Sequence, residues 1–290
     1  MKKLTVMALI ACLAFSAVAC GSSTTETTDD SAAAAEETTE APAEEESADA
    51  AEEEAEASDT AASSDKTWVI AMDTVFRPFE YTDENGDFVG IDVDIIKAVA
   101  EDQGFNIDIQ SLGWDAAVTA VQTGQADALL AGASITEERQ QNGWIFSDGY
   151  YTATQTFVVP EGSDIESFED LAGLNVAVKN GTAGADFANE LKDEYGFTVT
   201  VFEDSPTMYQ DVLLGNSAAC VEDTPIMADN IKTGGLALQI PENMHNDGAD
   251  YGMAIMNEAN QELLDMFNTG LANIRENGVY DEIIATYLGE

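Results

Sequence analysis

From Trp68 onward, short apolar runs alternate with amphipathic stretches, and this alternation constrains the fold more than any other feature of the chain. Trp68-Val-Ile-Ala71 reads as a buried strand. Asp92 to Asp102 reads as a helix with Ile95, Ile96 and Val99 facing inward. Phe105–Ile109 alternates as a strand, Trp114–Thr123 is a helix and Ala126–Leu130 a strand. The texture then repeats. Leu174–Val178, Phe197–Phe202 and Ala218–Val221 read as strands, each followed by a helix, over Ala183–Tyr195, Pro206–Leu214 and Pro225–Lys232. Tyr251–Ile255 reads as a last strand, with helices over Glu258–Arg275 and Tyr280–Leu288 behind it. Strands alternating with helices imply an α/β fold with largely parallel sheets. About 225 residues is more than one compact core commonly holds, so two lobes are expected. Thr82-Asp-Glu-Asn-Gly-Asp-Phe88 reads as a hairpin turn signalled by Asn85-Gly86. Asp83, Asn85 and Asp87 mimic the opening of a calcium loop, but Phe88 stands where that loop needs glycine, so no metal is expected there.

Upstream of Lys66 the composition is different. Residues 21–65 carry 16 acids, no base and no aromatic residue. Such a segment cannot bury enough apolar surface to offset its ordering entropy, and its charges repel, so it reads as a disordered acidic tether. Before it, Met1-Lys-Lys3 precedes an apolar run from Leu4 to Ala19 that is too short for a stable membrane span. Residues 1–19 therefore read as a signal peptide. Ala17-Val18-Ala19 fits ordinary signal-peptidase cleavage. Ala19-Cys20-Gly21-Ser22-Ser23 fits lipoprotein processing, in which the sulfur of Cys20 takes lipid. A long tether suits a lipid anchor, so Cys20 is the expected attachment point and residues 20–65 a lipid-anchored tether. Cleavage before Cys20 without lipidation would secrete the chain. Cys12 leaves with the leader, and Cys220, in the apolar run Ala218-Ala-Cys-Val221, reads as a small core residue. Of the chain's 56 acids and 10 bases, 40 acids and 8 bases lie from Lys66 onward. That balance excludes nucleic acid as an expected partner and argues against adhesion to anionic lipid through the protein surface.

The densest local chemistry is Ala131-Gly-Ala-Ser-Ile-Thr-Glu-Glu-Arg139. It follows the end of a strand, makes a small-residue turn and starts a helix at Thr136 with acids in its first turn. Such a turn exposes backbone N–H and C=O groups, and an arginine just beyond it can grip a small carboxylate with a two-pronged guanidinium. A salt bridge from Arg139 to Glu137 or Glu138 is the plainer alternative. Asp73, Trp114, Gly132, Lys179 and Asp223 each follow an expected strand or begin the next element. Ligands in open α/β sheets sit beyond the carboxyl ends of strands, so these residues are consistent with one shared cleft.

The same stretch continues through Ile145-Phe-Ser-Asp-Gly-Tyr-Tyr151. Together with Asp73-Thr-Val-Phe-Arg-Pro-Phe79, Gly90-Ile-Asp-Val-Asp94, Val178-Lys-Asn-Gly-Thr182, Glu222-Asp-Thr-Pro225 and Arg275-Glu-Asn-Gly-Val-Tyr280, it resembles the solute-binding proteins of amino-acid ABC importers. This is the polar amino-acid family, bacterial extracellular solute-binding protein family 3, typified by the glutamine-binding protein. The segments fall in family order from about Lys66 to the C-terminus. The resemblance implies a two-lobed, type II periplasmic-binding-protein-like fold, each lobe a mostly parallel sheet flanked by helices, with a hinge crossed twice. Lobe 1 would comprise 66–150 and 252–290, lobe 2 would comprise 154–246, and the hinge would lie near 149–153 and 246–251. Closure over ligand is the expected motion. The implied function is binding of a polar L-amino acid, glutamine favoured, outside the cytoplasm in the interlobe cleft, with delivery to an ABC permease in the membrane. The expected state is a monomer with no cofactor and no enzymatic activity.

The resemblance also assigns roles. Arg139, helped by the backbone N–H groups of Ser134 and Thr182, would hold the ligand carboxylate, and Thr182 opens a helix whose dipole favours an anion. The Gly132 carbonyl, the Ser134 hydroxyl and the Asp223 carboxylate would take the ammonium, although Asp223 could instead cap the helix at Thr224-Pro225. Phe76 and Trp114 would sandwich the aliphatic stem. Asp73 accepts and Lys179 donates, a pair suited to a carboxamide. Lys179 opposes a cationic side chain and Asp73 an anionic one. Two positions depart from the glutamine-binding pattern. Glu222 stands where that type has histidine, and Ala183 where the loop usually has glycine or serine. An extra acid at Glu222 could pair with Lys179 or admit a cationic ligand. His245 is the only histidine, and no Ser-His-Asp or Cys-His set can be built around it. A prephenate or arogenate dehydratase-like enzyme on the same fold is the alternative, and a sensory ligand-carrier a further one.

Overall fold

The computed structural model describes residues 66–289; the expected leader, Cys20 and the 21–65 tether lie outside them. Strand β1 (Thr67–Met72) leads into a small antiparallel ribbon of β2 (Val75–Phe76), β3 (Glu80–Thr82) and β4 (Phe88–Val89). Asp83 closes its turn, with Oδ1 accepting from the backbone N–H groups of Asn85 (2.8 Å) and Asp87 (2.9 Å). The carboxylate that suggested a calcium loop thus serves its own turn. Helix α1 (Ile91–Gln103) buries Ile95, Ile96 and Val99 completely. Gly90 precedes it at φ 138°, and a Cβ there would stand 2.1 Å from the Phe79 carbonyl oxygen, so only glycine lets α1 press this closely on β3. The chain continues through β5 (Asn106–Ser111), α2 (Trp114–Gln122), β6 (Ala128–Leu129), α3 (Glu137–Gln141), β7 (Ile145–Phe146) and β8 (Tyr151–Ala153).

The second half opens with β9 (Gln155–Pro160) and a 3₁₀ turn at Phe168–Leu171. It then alternates β10 (Asn175–Lys179), α4 (Ala183–Tyr195), β11 (Thr198–Phe202), α5 (Ser205–Leu213), β12 (Ala219–Asp223), α6 (Thr224–Gly234) and β13 (Leu238–Gln239). After β14 (Ala249–Tyr251) come β15 (Ala254–Ile255), a 3₁₀ turn at Glu258–Asn260, α7 (Gln261–Glu276) and α8 (Val279–Leu288).

Two five-stranded sheets result, ordered β5-β1-β6-β15-β7 and β11-β10-β12-β9-β13. In each, three strands run parallel and the fourth, β15 or β9, runs against its neighbours. Strands β8 and β14 pair separately as an antiparallel ribbon, with Ala153 opposite Ala249 and Tyr151 opposite Tyr251. α7 packs on α1, with Gly270 against Val99, so the last helices join the core that contains Ile70, Met72 and Phe79. The second sheet has its own core, where the Phe157 ring meets Phe168, Phe187 and Phe197 edge-on. Cys220 is buried beside it and unpaired. No helix of the described residues is long and apolar enough to cross a membrane.

Two local expectations are corrected. Tyr251–Ile255 is not one strand. Tyr251 ends the ribbon, and Ala254–Ile255 join the first sheet. Between them the Gly252 N–H donates to the Ala133 carbonyl (3.0 Å), which turns the chain from one partner to the next. The strand β9, fully interior from Gln155 to Val159, lies in a stretch where no strand was expected.

Candidate functional site

Residues at or just beyond the carboxyl ends of β1, β6, β10 and β12 line one cavity. All ten expected site residues line it: Asp73, Phe76, Trp114, Gly132, Ser134, Arg139, Lys179, Thr182, Glu222 and Asp223. Both sheets contribute, so the cavity lies between them.

At one end stands Arg139. Thr136 caps α3 by accepting from the Arg139 backbone N–H (3.2 Å), which fixes Arg139 in the first turn. Arg139 is buried, 9% exposed, with its guanidinium beside the rings of Trp114 (5.2 Å) and Trp144 (5.0 Å). It donates to two backbone carbonyls, Ser134 at 2.9 Å and Gly181 at 3.3 Å. The ion pairs among the described residues are Lys66–Asp127, Arg77–Asp229 and Lys179–Asp73. The alternative salt bridge from Arg139 to Glu137 or Glu138 is therefore not formed. Burial draws the Arg139 pKa below its ordinary value, opposed by the charges of Asp186, Asp223 and Glu138. Helix α4 begins at the same cavity, with Thr182 capping it through a bond from the Ala185 N–H (3.2 Å).

Nearby lies a buried acceptor. Asp223 occupies the N-cap position of α6, yet its side chain makes no capping bond, so the capping alternative is excluded. Its Oδ1 accepts from the Gln155 side-chain amide at 2.8 Å and its Oδ2 from the Tyr251 hydroxyl at 2.5 Å. The Gln155 amide also reaches the Ser134 hydroxyl at 3.5 Å. Burial first, and Glu222 next, push the Asp223 carboxyl up to about 6 against the pull of Tyr251, Gln155 and Arg139. Gln155, Tyr251 and Trp144 were not singled out in the sequence.

The far end is a charged cluster. Lys179 and Asp73, 3% and 2% exposed, form a buried ion pair, and Asp73 also accepts from the Thr74 N–H (2.6 Å). Burial alone would depress the Lys179 ammonium, but Asp73, then Glu222 and Glu80, hold it above its ordinary value. Glu222 does not ion-pair with Lys179. Its Oε2 accepts from the hydroxyls of Ser205 and Tyr209, both at 2.7 Å, and its Oε1 from the Asp223 N–H (2.9 Å). Phe76 and Trp114 supply the apolar walls. A Cβ on Gly132 would lie 2.3 Å from the Phe76 ring, so glycine is required for the turn to pass under it. The Trp114 indole N–H donates to the Gly181 carbonyl at 3.1 Å.

Further contacts tie the two sheets' elements around the cavity. Arg77 Nε meets Asp229 at 2.7 Å, and the Asn180 amide meets Asp115 at 2.8 Å. His245 does not line the cavity; its exposed ring faces the Asn246 carbonyl.

The family model for bacterial extracellular solute-binding proteins, family 3, matches residues 68–290. A probable histidine-binding protein of Neisseria gonorrhoeae is 30% identical over 239 residues, covering 81% of this chain and 87% of its own length. Substrate-binding domain 2 of Lactococcus lactis GlnP, in an open conformation, is 39% identical with a TM-score of 0.56, covering 79% of this chain and 98% of that one. The arginine-, lysine-, histidine-binding protein ArtJ of Geobacillus stearothermophilus is 30% identical with a TM-score of 0.71, covering 78% and 96%. These names span several polar amino acids and do not single out glutamine.

Proposed function

We propose, for a chain that belongs to the family 3 bacterial extracellular solute-binding proteins and folds as a two-lobed type II binding protein, that the cavity holds a polar L-α-amino acid, with glutamine favoured. The observation that carries this reading is Arg139. A buried arginine, 9% exposed, whose guanidinium is bonded only to carbonyls and has no carboxylate partner among the described residues, is a cation awaiting an anion. The ligand carboxylate supplies it, with the N-terminus of α4 assisting. Asp223 and Ser134, joined by Gln155, take the ammonium. The side chain lies between Phe76 and Trp114 and ends at Asp73 and Lys179. Those two groups can share one carboxamide as acceptor and donor. A cationic side chain would meet the Lys179 ammonium at close range, which disfavours arginine and lysine.

The contacts Arg77–Asp229 and Asn180–Asp115 describe lobes drawn together, and a different degree of lobe closure accounts for the lower TM-score of the open Lactococcus domain despite its higher identity; the β8–β14 ribbon is the proposed hinge. In this reading the chain is a monomer that closes on its ligand outside the cytoplasm and docks on a membrane permease, tethered through lipid on Cys20. It returns its ligand unchanged. Calorimetric titration of the ligand-stripped protein with each common amino acid tests the core of this. One-to-one binding of glutamine or another polar amino acid supports it; no binding to any of them sinks it. Metabolic labelling with a radioactive fatty acid tests the anchor, since label must appear on the wild type and vanish with Cys20→Ser.

A further inference from the structure

Behind the cavity wall two carboxyl groups are buried side by side without enough donors. Glu80, in β3, and Asp92, in the first turn of α1, are each 0% exposed, and the Asp92 backbone N–H donates to the carbonyl of Phe79 (2.9 Å), the residue before Glu80, which sets the two acids beside one another. Asp92 Oδ2 accepts from the Gly132 backbone N–H at 2.9 Å and from the Tyr150 hydroxyl at 2.8 Å. Asp92 Oδ1 and both Glu80 oxygens receive no hydrogen from any N–H or hydroxyl. Three buried acceptors left bare would be costly, and two adjacent buried anions more so. One proton between the groups resolves both problems.

We propose that Glu80 and Asp92 share a single proton and act together as a positioning pair, with the anion on Asp92 holding the Gly132 turn at the ligand cavity. The 13-residue helix α1 favours the charge on Asp92, in its first turn, and leaves the proton on Glu80. The surrounding charges agree. Glu80 faces Asp92, Asp73 and Lys179; Asp92 faces Tyr150 and Glu80, and Tyr280 lies within its field. Burial, then Asp92 and Asp73, raise Glu80 well above the carboxylate range, whereas Asp92 rises only to about 6 because Tyr150 and Gly132 stabilise its anion. At neutral pH the pair thus holds one proton. The packing leaves little slack, since Gly90 fixes α1 against β3 and Gly132 fits under Phe76. The effect on ligand rests on the amino-acid reading above, in which the Gly132 carbonyl meets the ammonium; the shared proton itself does not.

The test uses the full chain. Infrared spectra at mildly alkaline pH, where ordinary carboxyls are ionised, should show one protonated-acid carbonyl band that is absent from Glu80→Gln, whose amide replaces the shared proton with an N–H. The Gly132 amide resonance should shift on alkaline titration with the midpoint at which that band disappears. In Glu80→Gln it should stay fixed. Absence of the band, its persistence in Glu80→Gln, or a Gly132 amide that titrates identically in both proteins would overturn the proposal. Asp92→Asn is the second variant, expected to move the Gly132 resonance at all pH values, and an unmoved resonance counts against the pair. If glutamine binds, its affinity should fall in both proteins as the ligand ammonium deprotonates, with an added fall at the carboxyl band's midpoint in the wild type only. If it does not bind while the spectral results hold, the ligand reading fails and the pair stands.

Discussion

Replacing Arg139 by alanine is the sharpest perturbation of the site. A ligand carboxylate about 4 Å from a guanidinium at an effective dielectric near 20 gains roughly 4 kcal/mol. Truncating one partner of a buried, hydrogen-bonded pair typically costs about 2–5 kcal/mol. The expected loss of affinity is therefore roughly 30-fold to several thousand-fold. The structure also predicts a separate effect on the ligand-free protein. Arg139 packs beside Trp114 and Trp144 and satisfies the carbonyls of Ser134 and Gly181, so alanine should lower the ligand-free melting temperature as well. Arg139→Lys separates the two contributions. It keeps the charge and loses the planar fork, and should fall between wild type and alanine in affinity. Calorimetry gives the dissociation constant for glutamine, and a melt without ligand gives the cost to the fold. An alanine variant that melts as a folded protein yet binds within threefold of wild type would remove Arg139 from the carboxylate site.

Further outcomes follow from neighbouring residues. Folded Asp223 holds its proton up to about 6, above its unfolded value near 4, so it stabilises the ligand-free fold at low pH and withdraws that support as pH rises between about 4 and 6. Ligand affinity should run the opposite way, weakening as pH falls through about 6 because the ammonium needs the carboxylate; Asp223→Asn should bind more weakly and lose most of that pH dependence. Glu222→His should move preference among side chains toward glutamine, and an unchanged ranking across a panel of amino acids would deny Glu222 a role in specificity. Arg77→Ala removes a half-exposed tie between elements of the two sheets, worth about 1 kcal/mol or less, so affinity should drop by about fivefold or less with no change in ligand ranking.

Much of this architecture was legible because it is encoded locally. Helix α4 runs over the expected residues, since Thr182 caps its start and Gly196, at φ 73°, ends it. Asp73, Gly132, Lys179 and Asp223 converge because each sits where a strand hands over to the next element, and parallel strands point those junctions the same way. What escaped reading depends on distant partners. Gln155 and Tyr251 reach Asp223 across 68 and 28 residues, and neither has a local signature. β9 is defined by antiparallel pairing with β12 and β13, both remote in sequence. Trp144 shows its role only once α3 folds Arg139 back onto it. The Glu80–Asp92 pair did leave a trace. Each acid has apolar or aromatic neighbours on both sides, Phe79 and Tyr81 or Ile91 and Val93, which signals burial rather than a solvated face.

On the proposed reading, the buried charges account for how an acidic chain can hold a zwitterion. Only Arg139 and Lys179 are buried among the bases of the described residues, and both line the cavity. Lys179 is already answered by Asp73, and Glu222 is held by two hydroxyls and a backbone N–H. Glu80 and Asp92 answer one another. That leaves one buried cation without an ion-pair partner, Arg139, and a buried carboxylate, Asp223, that like Glu222 is bonded only to neutral groups but lies within the field of Arg139. A carboxylate alone would complete the first and leave the second desolvated, its carboxyl still raised. An amine alone would do the reverse. An α-amino acid supplies both charges a short bond apart, so on the proposed reading it is the zwitterion, more than any feature of the side chain, that the site selects.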